Sequence, residues 1–186
     1  ETNRELAKQL AYECDVEPMV ALIAIARGYD NPTDLEEFLS NEPNFSDTYI
    51  LADIMHAADI LNQSIIEGKK IAIYGDYDVD GVTSVSMMYL YLTSLGLRTG
   101  YYIPSRNDEG YGVNREAIRK LHSKGVTLII TVDTGITAIE EIEYAKRLGI
   151  DIIVTDHHEC RPILPDAVAV VDPHRSDCNF PFKELA

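Results

Sequence analysis

Three short clusters hold most of the chemistry this sequence could perform: Asp76-Tyr77-Asp78-Val79-Asp80-Gly81, Asp133-Thr134-Gly135 and Asp156-His157-His158-Glu159. Aspartates spaced two apart, with no basic residue between them, repel one another unless cations neutralise them. Carboxylate oxygen is the ligand that hard divalent ions prefer. The first cluster therefore reads as a metal site, with Asp76, Asp78 and Asp80 as candidate ligands, in preference to a solvated acidic turn. It is not an EF-hand, because Met87 stands at the loop's twelfth position, where that motif needs Glu. Gly81 lets the chain pass close to an ion or a phosphate, and a helix beginning at Val82 would aim its free amides at an anion.

The third cluster adds imidazole. Adjacent side chains leaving a strand diverge, so one of His157 and His158 would ligate while the other faces substrate. Structural histidines are an alternative, as is a zinc site with Cys160, His174 and Cys178, although that spacing suits a zinc knuckle poorly. For Asp133 the simpler alternative is a cap on the following helix. Mixed carboxylate and imidazole donors suit Mn²⁺ well and Mg²⁺ tolerably. Two ions about 3.5–4 Å apart, sharing a carboxylate, would activate water and stabilise the leaving oxygen of a phosphoester, so phosphate-bond hydrolysis is the implied reaction.

The clusters have in common that each follows a short apolar run. Strands are expected at Ile71 to Tyr74, Thr99 to Ile103, Leu128 to Val132, Ile152 to Thr155 and Val168 to Val171, with helix-length segments between them. This is the pattern of an α/β fold with a parallel sheet of about five strands flanked by helices, in which all carboxyl ends share one edge and bring the clusters together. The helix from Val82 to Leu95 carries an apolar stripe and stops at Gly96; Asn114 can cap a helix through Leu121; Thr137-Ala138-Ile139-Glu140 has capping-box form. Residues 1–67 read as a helical lead-in punctuated by Pro18, Pro32 and Pro43. It starts a helix at Pro32-Thr33-Asp34 and ends in a long amphipathic helix running from Leu51 to Ile65.

Composition sets outer bounds. The 186 residues are 46% apolar and 25% charged, ordinary for a globular chain. No run approaches the ~20 apolar residues of a membrane span, and the first residues lack a signal-peptide core, which leads to the expectation of a cytoplasmic protein. Three widely spaced cysteines argue against a disulfide framework. The net charge of −15 is unusual for a binder of polyanions. Clustered carboxylates holding divalent cations account for part of it. The sequence lacks an initial Met and stops after Lys183-Glu184-Leu185-Ala186, so it reads as a piece of a longer chain.

The order Asp-x-Asp-x-Asp-Gly, Asp-Thr-Gly, Asp-His-His resembles motifs one to three of the DHH phosphoesterases. The resemblance implies a Rossmann-like DHH domain at 68–186, truncated before the family's fourth metal motif, after the helical segment 1–67. It also implies Asp78, Asp80, Asp133 and His157 as metal ligands, with Asp133 as the catalytic bridge, and His158 on the scissile phosphate. Tyr74 stands where many members carry a His, and Asp76 is the substitute it offers. Ile103-Pro104-Ser105-Arg106, Glu109-Gly110-Tyr111-Gly112 and Val171-Asp172-Pro173-His174 are similar to the family's branch of single-stranded-DNA exonucleases. That branch implies stepwise 5′-to-3′ hydrolysis in DNA repair and recombination with Mn²⁺ or Mg²⁺. Single-stranded DNA would be the partner, with a single-strand-binding protein or a helicase beside the full-length protein. Arg106 and Tyr111 are the candidate substrate contacts, since Arg suits phosphate and Tyr stacks on bases; the plainer reading is a glycine-rich surface loop with a solvated Arg. Rival readings are a DHH hydrolase of oligoribonucleotides, cyclic dinucleotides or pyrophosphate, and a non-catalytic replication scaffold of the same fold.

Overall fold

The structure is a computed structural model that describes residues 2–40, 47–107, 109–183 and 185. Pro43, expected to punctuate the lead-in, lies outside the described residues. The chain divides into two compact units, Glu1–Phe45 and Ser46–Ala186.

The first unit holds helices α1 (Thr2–Glu13), α2 (Pro18–Ala26) and α3 (Pro32–Leu39). Pro occupies the first turn of α2 and α3, where its missing N–H costs nothing. Asn31 caps α3 by accepting from Asp34 N at 3.0 Å. Leu10, Ala21, Ala24 and Leu35 are buried in a small core of this unit.

The second unit opens with a 3-10 turn at Thr48–Ile50, followed by α4 (Ile54–Ile66) and β1 (Ile71–Tyr74). It continues with α5 (Val79–Ser94), β2 (Gly100–Tyr102) and α6 (Arg115–Ser123). The remaining elements are β3 (Leu128–Val132), α7 (Ile139–Arg147), β4 (Asp151–Thr155) and β5 (Ala169–Val171). The five strands form one parallel sheet in the order β2-β1-β3-β4-β5. Alternation along the strands sends Ala72, Tyr74, Ile129, Ile152 and Val154 to one core with residues of α6 and α7. Ile71, Ile73, Leu128, Ile130 and Ile153 go to a second core with residues of α4 and α5. Both faces are covered, as a parallel sheet requires.

Three local expectations differ from the structure. The expected helix at Val82 begins three residues earlier, because Asp78 caps α5 by accepting from Gly81 N at 3.0 Å. The long helix expected from Leu51 begins at Ile54, since Asp53 takes a left-handed conformation (φ 59°) just before it. Thr137 forms no capping box: α7 starts after Ala138 without a side-chain cap, and Asp156 Oδ2 instead accepts from Ile136 N at 2.9 Å. α4, read in sequence with the lead-in, packs against β5.

Candidate metal centre

The chain reverses its direction of sheet growth between β1 and β3, whose neighbours lie on opposite sides, so a crevice opens at their carboxyl ends. The turn after β1 passes through Gly75 and a buried Asp76, whose Oδ1 accepts from Tyr77 N at 2.6 Å. Burial raises the Asp76 pKa. The first turn of α5 lies directly on this backbone: a Cβ on Gly81 would sit 2.5 Å from Asp76 O and 2.6 Å from Asp76 N. Glycine at 81 is what lets the Asp76-to-Asp80 turn close.

Asp133 follows β3 in a left-handed conformation (φ 59°), uncommon for a residue with a side chain. Its N–H donates to Thr155 O at 3.0 Å, which holds it against the end of β4. Gly135 follows at φ 116°, where a Cβ would lie 2.6 Å from Thr131 Oγ1. The tight loop thus keeps the Asp133 carboxyl aimed at the crevice. Asp133 Oδ1 lies 2.8 Å from His157 Nε2, and among the described residues no donor reaches its buried Oδ2. Asp78 lies near enough for its negative charge to bear on the Asp133 carboxyl. Burial pushes Asp133 up to about 6, opposed by the His157 ring and reinforced by Asp78.

After β4, Asp156 Oδ1 accepts from His157 N at 2.8 Å and from His158 N at 3.2 Å, a turn that draws both histidines to the same side. Extended backbone would have separated them, as the sequence reading assumed. Instead Asp133, His157 and His158 offer ligand atoms all within 4.8 Å of one another, the one such cluster among the described residues. The alternative site of Cys160, His174 and Cys178 forms no such cluster there. His158 Nδ1 lies 2.7 Å from Asp156 Oδ1, and its Nε2 lies 3.0 Å from Tyr111 Oη. A neutral ring with its proton on Nδ1 satisfies both.

Of the residues singled out in sequence, Asp133, His157 and His158 meet in the crevice, with Asp78 near enough to act on Asp133 through its charge. Asp80 lines an adjoining cleft of about 360 Å³ with Asp133, Asp156 and His157. Asp76 adds no atom to the cluster and stays buried behind the turn. Tyr74 is fully buried and donates to Gly112 O at 3.0 Å, a structural bond. The Arg106 guanidinium lies 5.5 Å from the Tyr77 ring centroid, and Tyr77 packs edge-on against Tyr111. Tyr77 and Asp156 are contacts the sequence reading did not assign. Asp172, at the end of β5, was also unassigned although it repeats the strand-then-acid signal. It is fully buried, and burial pushes its carboxyl up to about 6.

A five-stranded parallel α/β unit with carboxylates and imidazoles converging at its switch point defines a candidate divalent-metal domain. The match to the DHH family, N-terminal domain, spans residues 70–182, and the chain belongs to that family. It is 44% identical over 185 residues to the single-stranded-DNA-specific exonuclease RecJ of Bacillus subtilis, covering 99% of this chain and 24% of that protein. Identity to RecJ of Escherichia coli is 35%, over 99% of this chain and 32% of the relative. The chain therefore spans about a quarter to a third of the length of these relatives. Among solved structures, RecJ of Thermus thermophilus in complex with Mn²⁺ superposes with a TM-score of 0.66 at 29% identity, over 94% of this chain and 24% of that one. A manganese-bound exonuclease RecJ superposes at 0.63 with 36% identity, over 68% and 32%.

Proposed function

We propose that residues 68–186 are the metal-binding half of a RecJ-like exonuclease that removes nucleotides 5′ to 3′ from single-stranded DNA, with 1–67 as a helical lead-in. The observation that carries this reading is the convergence of Asp133, His157 and His158, whose ligand atoms all lie within 4.8 Å of one another, with Asp133 Oδ2 buried and, among the described residues, lacking a donor. A buried carboxylate with an unpartnered oxygen and a second carboxylate nearby favours a cation, and oxygen and imidazole donors together fit Mn²⁺, with Mg²⁺ the second choice. Asp78, Asp133 and His157 would hold the metal, with Asp80 at the rim of the cleft and Asp76 fixing the turn beneath.

When bound, the metal supplies an activated water and stabilises charge on the phosphate. The chain's own side chains orient the substrate. His158, held at Nδ1 by Asp156, faces the crevice, and in its protonated form its Nε2–H would donate to a phosphate oxygen in place of meeting Tyr111. Arg106 would pair with a backbone phosphate, and Tyr77 and Tyr111 offer ring faces to bases. With cations in the crevice, the local potential becomes favourable to a polyanion despite the net charge of −15.

The activity for which the relatives are named supports single-stranded DNA over oligoribonucleotides, cyclic dinucleotides or pyrophosphate. A role in cytoplasmic DNA repair and recombination, beside a single-strand-binding protein or helicase, belongs to the same proposal. The test is digestion of 5′- and 3′-labelled single- and double-stranded DNA and RNA by the full-length protein with Mn²⁺. Release of nucleotides from the 5′ end of single-stranded DNA is expected. Preference for RNA or cyclic dinucleotides, or no hydrolysis, would refute it.

A further inference from the structure

The loop between β2 and α6 carries Arg106 and Tyr111, yet the structure ties it down through Glu109, outside the cluster of Asp133, His157 and His158. Glu109 Oε1 accepts from Tyr102 Oη at 2.6 Å and from Lys120 Nζ at 2.9 Å, while Oε2 accepts from Ser105 N at 3.2 Å. Glu109 N also donates to Ser105 O at 3.0 Å, closing the segment on itself. Tyr102 belongs to β2 and stacks on the buried Tyr74 at 5.4 Å; Lys120 belongs to α6. At the far end Tyr74 Oη donates to Gly112 O at 3.0 Å and accepts from Asn114 Nδ2 at 3.2 Å. Gly110 (φ 76°) and Gly112 (φ 85°) flank Tyr111 in conformations that strain other residues, so the chain between the two ties is shaped by backbone geometry as well.

We propose that Glu109, braced by Lys120 and Tyr102, is a positioning residue that holds residues 104–107 and 109–112 so that Tyr111 meets His158 and Arg106 meets Tyr77. The inference rests on the proposed exonuclease reading for its kinetic consequence, but the brace itself does not. Hydrogen bonds from a phenol, an ammonium and a backbone amide converge on one carboxylate that is only 18% exposed. The Tyr102 and Lys120 bonds hold the Glu109 pKa down at about 2, so the carboxylate is ionised at neutral pH. A surface ion pair alone would do little; three donors on one side chain, one of them from the loop's own backbone, fix the loop against strand β2 and helix α6.

No group in the brace touches the candidate metal ligands, so its loss should separate substrate use from metal binding. In the full-length protein, Glu109→Gln and Lys120→Met should each raise KM for a single-stranded oligonucleotide by about fivefold or more with kcat changed by less than about twofold, the signature of lost ground-state positioning. Mn²⁺ affinity should not move. The double variant should be no worse than the worse single one, since both break the same brace. Amide hydrogen exchange of residues 105–112 should speed by about tenfold in Glu109→Gln, with the sheet amides unaffected. An unchanged exchange rate in that loop refutes the brace whatever the activity of the protein. Faster exchange with unchanged KM refutes its role in substrate use. If the wild type fails to digest single-stranded DNA, the exonuclease reading falls and the exchange measurement alone decides the brace.

Discussion

His157 Nε2 lies 2.8 Å from Asp133 Oδ1, so the ends of β3 and β4 are joined side chain to side chain at the floor of the crevice. The neighbouring His158 is bound at Nδ1 by Asp156, whose other oxygen accepts from Ile136 N. The two histidines thus have different duties: one is coupled to the acidic cluster, the other is held by a carboxylate that is already fully engaged.

That division predicts unequal variants. His157→Asn in the full-length protein should weaken Mn²⁺ binding by at least about tenfold, as loss of a ligand does, whereas His158→Asn should leave binding within about threefold and lower kcat. Asp156→Asn should resemble His158→Asn, at about 10–100-fold lower activity, because it releases the ring it holds. Isothermal titration beside steady-state kinetics separates the two classes. Equal losses of metal affinity in all three variants would contradict the division.

Gly81→Ala should destabilise the protein by about 1–3 kcal/mol or more, because the new methyl group meets backbone that cannot turn aside. Its Cβ would lie 2.5–2.7 Å from O, N and C of Asp76. Urea denaturation of the two proteins measures it. Equal midpoints would show that the Asp76 turn yields more easily than the geometry indicates.

β5 is an edge strand, and its outward peptide is satisfied by side chains: Val170 N donates to Asp53 Oδ2 at 3.2 Å and Arg175 Nη1 donates to Val170 O. Arg175 Nη1 also meets Asp53 Oδ2 at 2.7 Å, and Asp177 binds the same guanidinium at 2.8 Å. Arg175→Met should cost about 1–3 kcal/mol, reduced from a buried pair because Asp53 is partly exposed. The double variant Asp53→Asn/Arg175→Met should lose less than the sum of the singles. Additive losses in denaturation would show the two side chains acting independently.

The depressed pKa of Glu109 fixes a sign for pH. Its folded value of about 2 lies below the ordinary 4.5, so ionised Glu109 contributes stability that is fully present above about 4.5 and is lost as pH falls toward 2. The stability gap between wild type and Glu109→Gln should therefore be widest near neutrality and shrink through that window. Thermal melts of both proteins from pH 7 to 3 test it; a gap that stays constant or widens in acid would exclude the ionised carboxylate as its source.

Much of the fold was legible because apolar runs of strand length alternated with amphipathic helices. Ile71 to Tyr74 and Leu128 to Val132 are strands with the expected limits. Asn114 caps α6 as its position suggested, with its side chain accepting from Ala117 N at 2.7 Å. What was not legible came from side chains bonding to distant backbone. No local pattern shows that Asp156 would support Ile136 and both histidine amides, or that Asp78 would start α5 early by capping it. Within the crevice, the spacing of acids after strands pointed to the three clusters, and it left open which of His157 and His158 would ligate. It could not distinguish the buried Asp76 from the exposed Asp80, because burial depends on how Gly81 packs onto the turn.

Mn²⁺ titration followed by electron paramagnetic resonance of the free ion, on wild type and Asp133→Asn, tests the central claim most directly. Asp133 meets the His157 ring and is the carboxylate of the three-residue cluster, so removing its charge takes away the group the two histidines surround. Saturable binding in the wild type, weakened by at least about tenfold in Asp133→Asn while the melting profile of the metal-free protein stays cooperative, is the expected result. Equal binding by both proteins, or no saturable binding by the wild type at millimolar Mn²⁺, would contradict the assignment of this crevice as a metal centre.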